Sequence, residues 1–341
     1  MAFRSSTKNT KNNKLIVILG STASGKSDLV VDLAKKFDGE IVSADSRQVY
    51  RGMNIGSGKI TKKEMRGVTH HFLDVASPKR RFTVVQYQKL AQKAIKDIQK
   101  RGKIPVLCGG TGLYIQSIVD GLVIPEVPPD AKLRARLEKL NTDELFERLK
   151  KLDPRRAKNI DKHNRRRLIR ALEIVIKTGK PVPSFSVIPA RCPSEAFSRG
   201  GQAEIQRAIA ERYNRLDPRF RGDNNSMNIL QLGIAIPKDQ LKARIKKRLL
   251  KRLKQGMVAE VKKLHRDGVS WKRLEEFGLE YRYVARYLQG KLAKQEMIDK
   301  LETEINQYAK RQMTWFKRDK RIKWIKNYRE ADKATKEFLQ N

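Results

Sequence analysis

The chain has 341 residues, 39% of them hydrophobic and 33% charged, enough for one large domain carrying a smaller inserted one. Lys and Arg total 76 against 37 acids, a net charge of +39, and a field of that sign draws polyanions. Only Cys108 and Cys192 are present, far apart, which excludes a disulfide framework and a cysteine-built zinc site.

A lysine-biased genome would also give a basic chain. Here arginine is abundant too and clusters with the motifs below, which favours nucleic acid as a partner. Residues 1–13 are polar and basic and read as a disordered tail. The apolar run that follows, Leu15 to Leu19, is too short for an export signal or a bilayer crossing, and neither end carries a lipidation motif. A cytoplasmic monomer without membrane contact is expected.

Along the chain, Lys14 to Leu19 reads as a buried strand, Ser27 to Phe37 as helix and Glu40 to Ala44 as a second strand. Tyr87 to Lys100 is an amphipathic helix, Ile104 to Cys108 a third strand, and Gly112 to Val119 a further helix. The alternation predicts an α/β fold, a P-loop-type parallel sheet flanked by helices, over 14–124. Pro125, Pro128 and Pro129 mark a boundary. Asp130 to Lys151 and Arg165 to Lys177 are helical and basic, and Thr178-Gly179-Lys180-Pro181 ends them, so 125–189 reads as an all-helical insertion that contacts RNA. Residues 190–227, rich in Gly, Arg, Ser and Pro around a short helical piece, read as an irregular surface insertion without catalytic duty. The core resumes over 228–330, with a strand at Asn228 to Ile236, a long helix or helix pair at Asp239 to His265 and a helix at Ile298 to Phe316; 331–341 reads as a tail.

Gly20-Ser21-Thr22-Ala23-Ser24-Gly25-Lys26-Ser27 fits G-x-x-x-x-G-K-[ST] between a strand and a helix, the context that gives this motif its meaning. Such a loop turns backbone N–H groups toward a phosphate, the helix N-terminus adds partial positive charge, Lys26 neutralises the outer phosphate and Ser27 can ligate Mg²⁺. ATP hydrolases add a metal-holding acid at the end of a hydrophobic strand. Here the strand at Ile104 to Cys108 runs into Gly109-Gly110-Thr111-Gly112, with no acid, which argues against a hydrolytic NTPase.

An acid does end the second strand, in Ser43-Ala44-Asp45-Ser46. Ligands of open α/β sheets sit at strand carboxyl ends, which suits a functional Asp45. An Asp-Ser pair is equally common as a cap, and both roles stay open at this point. The His70-His71 pair has no third ligand at metal-binding spacing, which favours a hydrogen-bonding role.

Taken together, the phosphate loop, Asp45-Ser46-Arg47-Gln48-Val49-Tyr50-Arg51-Gly52, His70-His71-Phe72-Leu73-Asp74, Gly109 to Tyr114, Arg166 to Glu173, Thr178 to Pro181 and Gln307 to Phe316 resemble, in order, the motifs of the tRNA dimethylallyltransferases. The likeness spans 14–320 apart from the 190–226 stretch. It implies transfer of a dimethylallyl group from its diphosphate to N6 of adenine 37 of tRNA, assisted by Mg²⁺. By position, Gly20 to Ser27 would bind the diphosphate, Asp45 would be the general base and Thr111 would line the reaction channel. The implied tRNA contacts are Asp45, Ser46, Arg47, Gln48 and Thr111 on the core, and Arg134, Arg166, Arg167, Leu168, Ile169 and Arg170 on the insertion. Later in the chain they are Phe277, Gly278, Tyr281 and Arg282, then Lys310, Arg311, Gln312, Thr314, Trp315 and Lys317. Trp315, Phe316, Tyr114 and Tyr281 are candidate stacking partners for a base. The chain departs from the family at Ser21, Ser27, Arg47 and Arg166, and in Gly278-Leu279-Glu280-Tyr281-Arg282, a variant of a Gly-Tyr-Arg motif. The alternative reading is an ATP-dependent small-molecule kinase, which leaves the charge and the late basic aromatic segment without a purpose.

Overall fold

The structure, a computed structural model, describes residues 13–122, 124–183 and 227–340. The irregular stretch expected at 190–227 lies almost wholly outside them, as do Cys192 and most of the N-terminal tail. The described residues divide into two compact units, 13–119 with 227–340, and 120–183.

The first unit is a six-stranded, all-parallel sheet in the order β3-β2-β4-β1-β5-β6. Its strands are β1 (Lys14–Gly20), β2 (Gly39–Ala44), β3 (His70–His71), β4 (Ile104–Gly109), β5 (Asn228–Ile234) and β6 (Lys323–Ile325). The two short edge strands have no periodic signal in the sequence. In β1 every residue from Leu15 to Leu19 is buried. Leu15, Val17 and Leu19 pack on one face and Ile16 and Ile18 on the other, so a strand covered on both sides reads as an unbroken apolar run.

Helices α1 (Lys26–Lys36), α2 (Lys62–Met65), α3 (Val84–Lys100) and α4 (Gly112–Val119) belong to this unit. Val30, Val31 and Leu33 of α1 cover the Ile16 face; Tyr87, Ala91, Ile95 and Ile98 of α3 cover the Leu15 face. After β2 and β3 the chain returns to place β4 between β2 and β1, then crosses to β5 on the far side of β1. That reversal puts the carboxyl ends of β1, β2 and β4 around one crevice.

The second unit contains α5 (Ala131–Leu137), α6 (Thr142–Leu152), α7 (Pro154–Asn159) and α8 (Arg165–Thr178). The helical run expected at Asp130 to Lys151 is broken between α5 and α6, where Asn141 and Glu144 form a reciprocal cap. Leu145, Leu149, Leu168, Leu172 and Val175 form its core. Glu173, fully buried, accepts from Asp130 N at 2.7 Å, Arg134 Nε at 2.8 Å and Arg170 at 2.5 Å. A buried carboxylate without those partners would cost several kcal/mol.

The C-terminal part supplies α9 (Lys238–Lys254), α10 (Met257–Arg266), α11 (Trp271–Phe277), α12 (Leu279–Leu288), α13 (Lys294–Phe316) and α14 (Tyr328–Gln340). The long element expected at Asp239 to His265 is a helix pair, α9 and α10. The expected tail at 331–341 is corrected: α14 runs through it, with Ala331 and Thr335 fully buried and Leu339 O accepting from Lys14 Nζ at 2.8 Å. Its apolar residues sit at helical spacing among lysines, which hid the stripe. Among the described residues no helix is long and apolar enough to cross a membrane.

Ala331→Asp would place a carboxylate against the apolar underside of the sheet. It should lower unfolding free energy by about 3 kcal/mol or more, read as a drop in urea midpoint at unchanged slope. A true tail would leave the midpoint where it is.

Candidate active site

The phosphate loop spans the turn from β1 into α1. Ala23 and Gly25 take left-handed backbone angles, φ 60° and 89°, which bend the loop around its own amides. No side chain caps α1, so its N-terminal amides point into the loop. Lys26 Nζ donates to Ser21 O at 2.6 Å and lies 3.4 Å from Ser24 Oγ. Burial, helped by Arg248 and opposed by Cys108 and Asp45, brings the Lys26 ammonium down to about 8.

Asp45 stands at the end of β2 and lines the same cavity as Thr22, Lys26 and Ser27, a space of about 290 Å³. Its Oδ1 accepts from Arg47 N at 2.8 Å and Gln48 N at 3.3 Å, which caps the turn 46–49. Among the described residues no donor is recorded on Oδ2. The two roles left open by the sequence are therefore divided between the two oxygens: one holds the turn and the other is available to a ligand. Thr111 fixes this turn from β4. Its Oγ1 accepts from Ser46 N at 3.0 Å, and its N–H donates to Ala44 O at 3.1 Å.

Gln312 of α13 ties the loop to the end of β4. Its Oε1 accepts from Thr22 N at 2.8 Å and its Nε2 donates to Gly110 O at 2.7 Å. It was expected to contact RNA, but it is buried and its amide is spent on these two bonds. Leu168 and Ile169 are corrected in the same way: both lie in the core of the helical unit, at the spacing of its apolar stripe. Phe277, Gly278, Tyr281 and Arg282 line the Asp45 cavity. Tyr281 is buried and donates to Glu260 Oε1 at 3.0 Å, so it does not stack on a base. Phe277 accepts from Arg47 Nε at 2.7 Å through its carbonyl, and the Arg273 guanidinium sits 4.4 Å from its ring centroid. Tyr114 and Phe316 are also buried, Tyr114 stacked on Tyr87. Trp315 is half-buried with its indole against Gly112.

Arg166, Arg167, Lys310, Arg311, Thr314 and Lys317 are exposed. Arg134 and Arg170 are partly exposed and engaged with Glu173. Ser46 and Gln48 line the Asp45 cavity, Gln48 reaching Gly58 O at 3.3 Å. His71 Nε2 meets Glu40 Oε2 at 2.8 Å and His70 Nδ1 meets Val68 O at 2.9 Å, the hydrogen-bonding role expected of the pair.

Helix α9 adds an arginine cluster that no sequence motif marks. Arg248 and Arg252 of α9 line both the Asp45 cavity and an adjoining one of about 670 Å³, and Arg244 lines the second beside Gly25 and Lys26. Burial and the neighbouring Arg252 push Arg248 down to about 10. The three recur every four residues and so share a helical face. Ser27 offers its hydroxyl to the first cavity, a single protein ligand that fits Mg²⁺ completed by substrate phosphates and water. Among the described residues no three His, Cys, Asp or Glu side chains form a protein-only metal cage.

Fold and site together define an α/β protein whose phosphate loop faces a carboxylate across a crevice lined with arginine. Residues 48–319 match the family model described as IPP transferase. The chain is 42% identical over 304 residues to tRNA dimethylallyltransferase 2 of Citrifermentans bemidjiense, covering 89% of this chain and 86% of that one. It is 38% identical over 332 residues to tRNA dimethylallyltransferase 1 of Geotalea uraniireducens, covering 96% and 97%. Among solved structures it resembles the full-length tRNA isopentenylpyrophosphate transferase of Bacillus halodurans, with TM-score 0.66, 32% identity and coverage of 96% and 97%. It also resembles a eukaryotic dimethylallyltransferase studied acting on tRNA, with TM-score 0.66, 27% identity and coverage of 89% and 69%. The chain belongs to the IPP transferase family.

The depressed Lys26 gives a pH signature with opposite signs for binding and folding. Between pH 8 and 10.5 the unfolded chain holds the extra proton, so this group favours folding as pH rises through that window. Anion binding needs the charged form, so inorganic pyrophosphate should bind about 25-fold more weakly at pH 9.5 than at pH 7.5. Calorimetry at the two pH values checks this, and Lys26→Ala should bind weakly at both.

Proposed function

We propose that the chain transfers the dimethylallyl group of dimethylallyl diphosphate to N6 of adenosine 37 in tRNA, releasing diphosphate. The observation that carries this reading is that Lys26 of the phosphate loop and the free Asp45 oxygen line one cavity. Membership of the IPP transferase family supports it.

The loop amides, Lys26 and Arg248 bind the diphosphate and neutralise the charge that grows on it as the bond between C1 and oxygen breaks. Ser27 would hold Mg²⁺, which would supply further neutralisation of the departing group. The exocyclic amine is a weak nucleophile because its lone pair is delocalised into the ring. As the C1–N6 bond forms, Asp45 Oδ2 takes the N6 proton, while Oδ1 keeps the turn in place. Thr111 acts through Asp45, as a positioning residue.

An adenine must leave its stack to reach Asp45, a cost of a few kcal/mol in a duplex and less in a single-stranded loop. Exposed Arg166 and Arg167 on the helical unit, and Lys310, Arg311 and Lys317 on the core, offer phosphate contacts that salt should weaken. The substrate and the sparse cysteines suit a cytoplasmic monomer. An ATP-dependent kinase is not favoured, because no acid ends β4 to hold its metal.

Incubation with dimethylallyl diphosphate and unmodified tRNA, followed by nucleoside mass spectrometry, should yield N6-(dimethylallyl)adenosine. Phosphorylation of a metabolite by ATP with no prenylated nucleoside would refute the reading. Asp45→Asn should keep tRNA affinity and lose roughly 10²–10⁴ in transfer rate, measured under single turnover.

A further inference from the structure

The loop 54–58 borders both large cavities: Gly56 and Ser57 line the Asp45 cavity, and Asn54, Ile55 and Gly58 line the adjoining one. Its backbone bonds in two directions. The amides of Asn54, Ile55 and Gly56 all donate to one carboxylate, that of Glu260 in the first turn of α10, at 2.9, 2.7 and 3.0 Å. The carbonyls of Gly56 and Gly58 accept from arginines of α9, Arg252 at 3.2 Å and Arg248 at 3.3 Å. Gln48 of the Asp45 turn donates to the same Gly58 O at 3.3 Å.

Successive amides that converge on one point form a concavity that binds anions. Here the chain fills it with an anion of its own. The converged N–H dipoles repel one another, and a charged acceptor with two oxygens offsets that repulsion better than a neutral one. Tyr281 of α12 donates to Glu260 Oε1 at 3.0 Å and so fixes the carboxylate from a second side. The far end of the loop is fastened separately. Lys59 pairs with Asp74 at 2.6 Å and donates to Tyr50 O at 2.8 Å. Phe72 and Asp74 hold positive φ, 66° and 59°, a strained conformation for non-glycine residues that surrounding contacts must maintain.

A long side chain that is free in a cavity loses rotamer freedom when it grips a ligand, a cost that prior positioning removes. Among the described residues, the one bond recorded on the Arg248 guanidinium is that to Gly58 O, so its aim is set there and its other donors are left for a ligand. Arg248 lies near enough to Lys26 to lower the pKa of that ammonium, which puts it beside the phosphate loop. Arg252 is held twice, by Gly56 O and by Glu280 Oε1 at 2.9 Å. Loop and guanidinium groups are packed without a gap, since a side chain at Gly58 would run into both arginines. Any shift of the loop therefore moves Arg248 and Arg252.

We propose that Glu260 is a positioning residue for diphosphate binding: by gripping the amides of 54–56 it sets the carbonyls that aim Arg248 and Arg252 at the phosphate loop. It touches neither substrate and acts through the two arginines. The proposal rests on the diphosphate site of the transferase reading above.

The test is a double-mutant cycle on inorganic pyrophosphate binding, measured by calorimetry in the full chain. Glu260→Gln keeps the shape but offers one acceptor oxygen to three amides. It should weaken pyrophosphate about tenfold and raise KM for dimethylallyl diphosphate by a similar factor, with KM for tRNA unchanged. In an Arg248→Ala background the same change should cost less than about twofold, because its target is already gone. Glu260→Ala leaves the three amides open to a small carboxylate. Formate should restore about fivefold in pyrophosphate affinity to that variant, against chloride at equal ionic strength, and none to the wild type. If Glu260→Gln binds pyrophosphate like the wild type, loses the same factor with and without Arg248, or raises KM for tRNA equally, the assignment is wrong and the transferase reading survives. Failure of formate to help Glu260→Ala also overturns it. A wild type that does not bind pyrophosphate overturns the diphosphate site itself.

Discussion

A single strand, β4, separates the phosphate loop from its facing carboxylate, and the rest of the site depends on that spacing. Strands in a sheet lie about 4.8 Å apart, so the ends of β1 and β2 stand roughly 10 Å apart with β4 between them. That gap is the one the proposed transfer spans, from a diphosphate at one side to an amine at the other. The strand ends are fastened at the top as well as by the ladders. Thr111 ties β4 to the Asp45 turn, and Gln312 ties it to the loop. Both links are hydrogen bonds to backbone, so they fix distances without adding charge to the cavity.

Charge is the opposing constraint. A chain of net charge +39 gathers Lys26, Arg244, Arg248 and Arg252 around one loop, and mutual repulsion works against that cluster. The protein offsets part of it internally. Arg252 donates to Glu280 Oε1 at 2.9 Å and to Gly56 O at 3.2 Å. Glu260 accepts from the amides of Asn54, Ile55 and Gly56 and so holds the loop against which the arginines pack. What remains uncompensated lies on Lys26 and Arg248, both depressed chiefly by burial, and cations so placed gain from an arriving anion.

Much of this was readable from residues whose neighbours give them context. Gly20 to Ser27 is informative because an apolar run precedes it and an amphipathic helix follows. Asp45 is informative because it ends a strand. The arginine face of α9 is not legible in the same way, because arginine every four residues means little in a helix already crowded with lysine. Leu168 and Ile169 were placed at the RNA by the company of their motif, although their spacing with Leu172 and Val175 already put them in a core. The edge strands β3 and β6, of two and three residues, form because neighbouring backbone is present to pair with them, which no local pattern encodes. The strained Phe72-Leu73-Asp74 turn is likewise a tertiary product, stabilised from Lys59 and Gln48.

The lack of an acid at the end of β4 has a steric cause. A Cβ on Gly109 would fall 2.2 Å from Ala44 O, and one on Gly110 would fall 2.4 Å from Gln312 Nε2. The first clash is with backbone and leaves no room for a side chain at the end of β4, while the second would displace the Gln312 amide from its bonds to Thr22 and Gly110. The space goes to the close contact of β2 with β4, and that contact presents Asp45 one strand further from the loop. A carboxylate there is displaced from the position that holds metal for water attack. It stands instead where the proposed reaction needs a proton acceptor for the amine. The close contact of β2 with β4 thus leaves no acid on β4 and sets Asp45 one strand away, the carboxylate that the proposed transfer would use as its base.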